Sequence, residues 1–306
     1  MKVGFLYGGQ GSQVAGMGLD FYEKEDIARD YYNSINIDKD VRKLSFFSSE
    51  EEIKITENTQ VVLIAFQVMI TKMLKSIGIK PDAAAGLSIG EFSALYAAGV
   101  LSDKDTLKIA NFRGKVMTYI SKNMECAMYA VMGMTEKELE DICTQSEEKG
   151  KVYISNLNTK NQIVISGEKS ACLKAVELIE NIGKRAVPLK VSGAFHTEYM
   201  NEASEKLREY FKDTEFKNEN INVYFNLLGT KNMGMDIREI MALQVKRRVR
   251  FEDIIRNMIN DGIDTFIEIG YGNIIKGFIK KIDRNVKVHS VSDYKSFEEL
   301  KGVFNE

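Results

Sequence analysis

Hydrophobic residues near the start of the chain form one short run and one long run, with glycines between the elements. Residues 2–7 are mostly apolar and end at the glycine-rich stretch 8–13, which predicts a short buried strand followed by a loop. From Thr56 to Ser76 apolar residues fall on nearly all sides of a helical repeat. This predicts a largely buried helix, with Thr56 as its cap and Gly78 as its stop.

A second strand and helix follow around a pair of glycines. Residues 81–85 have the pattern of a brief extended segment, 86–90 that of a sharp turn, and 91–98 that of a helix that Gly99 closes. The local order is therefore strand, glycine-flanked turn and helix.

The region from 124 to 191 has a different order of predicted strands and helices. Thr135 and Glu138 form a capping-box pattern at the start of a predicted helix. The predicted elements are strand 128–132, helix 135–149, strands 151–156 and 162–166, helix 170–182 and strand 185–191. This βαββαβ order predicts a ferredoxin-like subdomain at 124–191, inserted between the two parts of a larger domain, 1–123 and 192–306.

Helices and strands continue to alternate to the end of the chain. The predicted elements are helix 198–211, strand 222–226, helix 251–261 and strands 265–269 and 287–291. Such alternation is typical of a mainly parallel sheet with helices on both faces. The fold class that we expect is α/β, with a large α/β domain and a small inserted one.

Composition narrows the classes of function. The 306 residues are 44% hydrophobic and 28% charged, which is typical of a globular protein, and the net charge of -2 provides no field for nucleic acid. The three cysteines are not spaced as in zinc-binding or redox motifs. They therefore indicate a reducing cytoplasm and no bound metal. No segment has the length and apolarity of a signal peptide or a membrane span.

The turn at 86–90 has the Gly-x-Ser-x-Gly pattern of a nucleophile elbow, with Ser88 at its centre. Its glycines leave room for a strained turn that raises the serine hydroxyl, and the following helix directs its N-terminal amides toward developing negative charge. The pattern is weak alone, but its place between a predicted strand and helix favours a nucleophile over a structural turn.

A nucleophilic serine needs a base, and the chain has two histidines. His289 lies within a predicted strand, where a structural role is favoured. His196 follows a strand end and precedes a helix, where α/β proteins place their sites, so it is the better candidate. No carboxylate stands out as a third member, and a backbone or amide oxygen is an alternative partner for the imidazole.

Three further features remain open from the residues alone. The stretch 9–13 lacks the third glycine of a dinucleotide fingerprint, and its turn can instead supply a backbone N–H that forms an oxyanion hole with the amide of Ile89. Arg113 lies in a predicted helix, where a solvated arginine is the commoner case. Four cations in 246–250 form either a solvated face or a contact for phosphate or an acidic partner.

Taken together, these motifs resemble the malonyl-CoA:acyl carrier protein transacylase family. The resemblance covers nearly the whole chain, in family order, at 9–13, 86–91, 111–115, 161–167, 193–197 and 268–272. The chain departs from the family pattern at Leu87, where a histidine is usual, at Arg247 and Arg248, where Ser-Pro is common, and at Tyr271, where proline is usual.

The resemblance implies a role for each candidate site residue. Ser88 would be the acyl-accepting nucleophile, His196 its base, and the amides of Gln10 and Ile89 the oxyanion hole. Arg113 would pair with the free carboxylate of malonate, and the backbone carbonyl of Gln244 would orient the histidine.

The implied reaction is ping-pong transfer of malonyl from coenzyme A to the phosphopantetheine thiol of an acyl carrier protein, in fatty acid biosynthesis, with no bound cofactor. The cationic cluster, Lys246, Arg247, Arg248 and Arg250, is then a candidate contact for the carrier protein. The alternatives are a serine hydrolase acting on acyl carriers, a discrete acyltransferase for polyketide synthesis, and a non-catalytic carrier-binding protein.

Overall fold

The computed structural model describes residues 1–122, 124–191 and 193–305. The strands, β1 to β10, are Val3–Tyr7, Ala83–Gly86, Cys126–Met132, Val152–Thr159, Gln162–Glu168, Arg185–Pro188, Asn222–Phe225, Thr230–Lys231, Thr265–Ile269 and Lys287–Val291. The helices, α1 to α14, are Leu19–Lys24, Asp26–Ser34, Val41–Phe47, Glu50–Ile53, Thr56–Ser76, Gly90–Ala97, Asp103–Ser121, Glu136–Gln145, Lys169–Asn181, Asn201–Lys212, Ile237–Gln244, Phe251–Asn260, Ile274–Ile282 and Tyr294–Asn305. Short 3-10 turns lie at Glu147–Lys149 and Glu198–Met200.

The larger sheet has the strand order β10-β9-β1-β2-β7-β8, and each neighbouring pair is parallel except β7 with β8. Side chains alternate between its two faces. Phe5 and Tyr7 of β1 pack with α5, whereas Leu6 packs with α12 and α13. The central strands β1, β2 and β9 are buried throughout, as expected where helices cover both faces of a parallel sheet. The predicted α/β class is thereby confirmed.

The second sheet is antiparallel, with the strand order β4-β5-β3-β6. Its elements follow one another as βαββαβ, and α8 and α9 cover one face, so the unit has the ferredoxin-like arrangement. On the other face, Met128, Ala130 and Val164 join the hydrophobic core of the larger sheet. The predicted domain boundaries, at residues 123 and 192, lie outside the described residues.

The two sheets are also joined through the backbone. Asn156 of β4 and Val249, just before α12, form a parallel bridge. The Leu157 amide donates to the Val249 carbonyl at 2.8 Å, and the Val249 amide donates to the Ser155 carbonyl at the same distance. These bonds hold the small sheet against the carboxyl-terminal edge of the large one.

Several predicted bounds need correction. Helix α5 spans Thr56–Ser76 as predicted, but Ile55 holds the cap position and Thr56 is its first helical residue. The strand predicted for 185–191 ends at Pro188, although the Leu189 amide still donates to the Met128 carbonyl at 2.9 Å. The helix predicted for 135–149 has its predicted capping box but ends at Gln145, and a separate 3-10 turn follows at Glu147–Lys149.

No helix in the described ranges is both long and apolar enough to cross a bilayer.

Candidate active site

Ser88 lies in the tight turn between β2 and α6, with a left-handed φ of 55°. The two glycines beside it permit this turn. A Cβ on Gly86 would lie 2.0 Å from the carbonyl carbon of Gly90, and one on Gly90 would lie 2.4 Å from the carbonyl oxygen of Tyr7. Both approaches are far closer than any side chain tolerates, so the chain needs glycine at both positions to place a serine at the tip of the turn.

Asn226 holds the elbow from the neighbouring strand. It follows β7, which pairs with β2, and its Oδ1 accepts the Ser88 amide at 2.7 Å while its Nδ2 donates to the Gly86 carbonyl at 2.6 Å. Asn226 belongs to none of the motifs singled out in the sequence. The available signal was a polar residue at the carboxyl end of a predicted parallel strand, where α/β sites are built.

His196 contacts the serine from the loop after the small sheet. Its Nε2 lies 2.8 Å from Ser88 Oγ, and its Nδ1 lies 2.9 Å from the backbone carbonyl of Gln244. A carbonyl oxygen can only accept, so Nδ1 carries the proton and Nε2 is free to accept the serine hydroxyl proton. Burial, reinforced by the positive charge of Arg113 and opposed by the Gln244 carbonyl, lowers the pKa of His196 to about 4. The imidazole is therefore neutral at physiological pH.

Arg113 of α7 brings a buried positive charge to the nucleophile. Its side chain is 1% exposed, and its Nη2 donates at 3.2 Å both to Ser88 Oγ and to Gln244 Oε1. Its Nε is buried with no hydrogen-bond partner among the described residues. Burial lowers the pKa of Arg113 to about 10, and Glu91 opposes this shift, so the guanidinium stays charged at neutral pH. A buried cation with an unused donor suits an anionic ligand.

Glu91 lies beneath the elbow, as the second residue of α6, and is completely buried. Its Oε1 accepts the Asn226 amide at 3.1 Å and its Oε2 accepts Gln244 Nε2 at 3.0 Å. Gln244 Nε2 also donates to the Ser88 carbonyl at 2.7 Å. Burial raises the pKa of Glu91 to about 8, although both hydrogen bonds oppose the shift. Glu91 lies within the sequence motif at 86–91, which by itself predicts no role for it.

A cleft of about 350 Å³ opens above Ser88, between the two sheets. On the large-domain side it is lined by Gly9, Gln10, Leu87, Ile274 and Phe278. On the small-domain side it is lined by Met128, Ala130, Asn156, Gln162 and Val164. The backbone amides of Gln10 and Ile89 have no protein acceptor within the described ranges, while the Gln10 side chain donates to Thr56 Oγ1 at 3.1 Å.

The remaining predicted residues lie elsewhere. His289 is on the edge strand β10, with its ring 6.4 Å from that of Phe304, away from the cleft.

Of the cationic cluster, Arg247 pairs with Glu198, and Arg248 pairs with Glu136 and Glu140 of α8. Lys246 donates to Asn201 at 2.9 Å, and Arg250 lies 3.5 Å from Asp253. Each of the four cations thus has a partner within the molecule, and Arg248 pairs with two carboxylates. Across the described residues, no cluster of three or more His, Cys, Asp or Glu side chains could hold a metal.

Comparison with known proteins finds relatives that match nearly the whole chain. The family model for the acyl transferase domain matches residues 4–294. The malonyl CoA-acyl carrier protein transacylase of Bacillus subtilis is 38% identical over 302 residues, covering 97% of this chain and 95% of the relative. The same-named protein of Staphylococcus aureus (strain MRSA252) is 33% identical, covering 98% of both chains.

Solved structures agree with the sequence comparisons. The malonyl CoA-acyl carrier protein transacylase of Clostridium perfringens superposes with a TM-score of 0.95 at 36% identity, covering 100% of this chain and 98% of that one. MCAT from Streptococcus pneumoniae gives 0.92 at 37% identity, covering 99% of this chain and 100% of that one.

Proposed function

This chain belongs to the acyl transferase family of malonyl-CoA:acyl carrier protein transacylases, and we propose that its Ser88 carries the malonyl group between the two carriers. The protein is an acyltransferase that moves malonyl from coenzyme A to an acyl carrier protein, a reaction of fatty acid biosynthesis. One observation carries the proposal for the site: Ser88 Oγ lies 2.8 Å from His196 Nε2 and 3.2 Å from Arg113 Nη2.

In the first half-reaction, Ser88 Oγ attacks the thioester carbonyl while His196 Nε2 takes the hydroxyl proton. The carbonyl oxygen becomes an oxyanion, and the amides of Gln10 and Ile89 stabilise it. When the carbon–sulfur bond breaks, the coenzyme A thiolate leaves and receives the proton from His196. The product is a malonyl ester on Ser88.

In the second half-reaction, the phosphopantetheine thiol of the carrier protein attacks this ester. His196 accepts the thiol proton and then returns it to Ser88 Oγ as the ester bond breaks. Free enzyme and malonyl-carrier protein result. The two half-reactions use the same groups in reverse order, and the residues supply the acid, the base and the oxyanion donors, with coenzyme A entering as a substrate rather than as a bound cofactor.

Arg113 selects the acyl group in this proposal. The malonyl carboxylate pairs with the guanidinium, whereas an acetyl group leaves the buried cation without an anion.

We also assign the reaction to the cytoplasm, because Cys126, Cys143 and Cys172 are all free thiols, as in a reducing compartment.

Intact mass measurement tests the proposal. The protein incubated with malonyl-CoA should gain one malonyl group, Ser88→Ala should gain none, and added carrier protein should discharge the adduct. Arg113→Ala should reduce malonyl acylation by about 30-fold or more while acetyl acylation gains relative to it, because a buried charge pair has lost one partner. An unmodified wild-type protein, or a label that survives Ser88→Ala, would contradict the assignment. Discharge to water at the same rate without carrier protein would indicate a hydrolase.

A further inference from the structure

Glu91 is a buried carboxyl group that the mechanism does not use. It touches neither His196 nor the guanidinium of Arg113. Its two oxygens instead face two N–H donors, the Asn226 backbone amide at 3.1 Å and Gln244 Nε2 at 3.0 Å. Both donors belong to residues that contact the nucleophile loop, so Glu91 underlies the parts of the site that meet at Ser88.

The side-chain amide of Gln244 is the link between Glu91 and Arg113. Its Nε2 donates to Glu91 Oε2 and to the Ser88 carbonyl, and its Oε1 accepts from Arg113 Nη2 at 3.2 Å. If this amide rotated by half a turn, its oxygen would face two acceptors and its NH2 group would face the guanidinium. All three contacts would then become repulsive, so the present orientation is strongly specified.

The carboxylate of Glu91 provides what this orientation requires. A carboxylate offers acceptors on both oxygens, one for Asn226 and one for Gln244. Above its raised pKa of about 8 it also carries a negative charge near the buried guanidinium, separated from it by one amide group, and so partly compensates the cation without occupying its donors. Arg113 is thereby held at Nη2 alone, while its buried Nε keeps no partner among the described residues.

We propose that Glu91 is a positioning residue for acyl selectivity, which fixes the Gln244 amide and through it aims Arg113 at the free carboxylate of the acyl group. This inference rests on the proposed function, because it assumes that Arg113 binds that carboxylate. It assigns Glu91 no part in proton transfer. Its loss should therefore act on the binding of malonyl thioesters rather than on the chemistry at Ser88.

Glu91→Gln is the direct test, because it keeps the shape and replaces one acceptor oxygen with a donor. Two donors then face one acceptor, so either the Asn226 amide loses its partner or Gln244 turns its NH2 group toward Arg113. We expect kcat/KM for malonyl-CoA to fall about tenfold, mainly through KM. We expect acetyl-CoA acylation to change by less than about threefold, so that the malonyl to acetyl ratio falls. Both rates are measured as Ser88 adducts by intact mass at pH 9, above the raised pKa of Glu91.

Glu268→Gln is the matched control. Glu268 of β9 is also a buried carboxyl group and accepts the amides of Ile275 and Lys276, but it has no contact with Gln244 or Arg113. This control should lower stability without changing the malonyl to acetyl ratio. If Glu91→Gln fails to fold, Gln244→Leu removes the same link and should give the same loss of selectivity. A parallel loss with both thioesters, or an unchanged ratio, would overturn the inference.

The two proposals fail in different ways. If the wild-type protein forms no malonyl adduct at Ser88, the proposed function is wrong. If the wild type is acylated selectively but Glu91→Gln keeps that selectivity, the proposed function stands and the role of Glu91 is rejected.

Discussion

His196 is oriented by a backbone carbonyl rather than by a carboxylate, and this affects its protonated form. The Gln244 carbonyl fixes the Nδ1–H tautomer at 2.9 Å but supplies a dipole in place of a full negative charge. Burial and the positive charge of Arg113 both disfavour the imidazolium. The resting histidine is therefore neutral over a wide range of pH, and it holds a proton only while the tetrahedral intermediate exists.

A pH profile of the first half-reaction tests this description of His196. With a folded-state pKa of about 4, the rate of malonyl-Ser88 formation should stay flat from pH 7 to about 5 and fall tenfold per pH unit below about 4. Rapid-quench intact mass measures this rate. A decline centred near pH 6.5 would contradict the lowered pKa.

The same shift affects stability. The ordinary pKa of 6.5 applies to the unfolded chain, so the contribution of neutral His196 is complete above pH 6.5 and is lost as the pH falls toward 4. In thermal melts, His196→Asn should show a shallower acid-side loss than the wild type.

At the residue scale, sequence patterns identified side chains better than backbone groups. Ser88 and His196 stand out because the elbow motif and the scarcity of histidine limit the choices. Gln244 orients the histidine through a carbonyl, which every residue possesses, so no side-chain pattern points to it. Glu91 meets Asn226 and Gln244 across 135 and 153 positions of sequence, and only the folded sheet brings them together.

At the scale of elements, the turn between β2 and α6 requires its two glycines because they have no side chain. Helix α5 was predicted with its observed bounds because its apolar run is long and ends at recognisable residues. The four short helices between 19 and 53 were not predicted, since each has at most nine residues and too few turns for a clear period. The elbow was predicted as a turn, but its close packing against Tyr7 of β1 arises from strand pairing.

Alanine substitutions at two glycines test this packing. Gly86→Ala should lower the free energy of unfolding by about 3 kcal/mol or more, because its Cβ would meet backbone at 2.0 Å. Gly302→Ala in α14 meets nothing within 4 Å and should raise stability by about 1 kcal/mol through its helix propensity. Urea unfolding measures both. A Gly86→Ala protein as stable as the wild type would show that the turn is not constrained as described.

At the scale of the whole molecule, the cleft exists because two sheets face each other across it. The βαββαβ order was visible in the sequence because each element has a clear period. The contacts that join the sheets were not, since the bridge between Asn156 and Val249 is made by backbone groups. The partners of the cationic cluster were likewise not visible in the sequence. Arg248 pairs with α8 of the small domain, so part of the charge of the cluster serves the contact between the domains.

Lys246 and Arg250 are therefore the better test of carrier docking. The double variant Lys246→Glu and Arg250→Glu should raise KM for the carrier protein by about threefold to tenfold, since electrostatic attraction mainly aids encounter. It should leave malonyl-Ser88 formation from malonyl-CoA unchanged. The control is Lys212→Glu with Lys217→Glu, an equal charge change at exposed positions with side-chain exposures of 64% and 63%. Equal KM values in the two double variants would remove this cluster from the docking surface.

The unpartnered Nε of Arg113 has a consequence for inhibition. A small electrophile that modifies Ser88 but carries no anion would leave the Arg113 guanidinium without a directly bonded anion beside the new bond. An electrophile with a carboxylate placed to reach Arg113 would gain that ion pair in addition to the covalent bond. Serine-directed inhibitors of this enzyme should therefore be ranked by the position of their negative charge before their intrinsic reactivity.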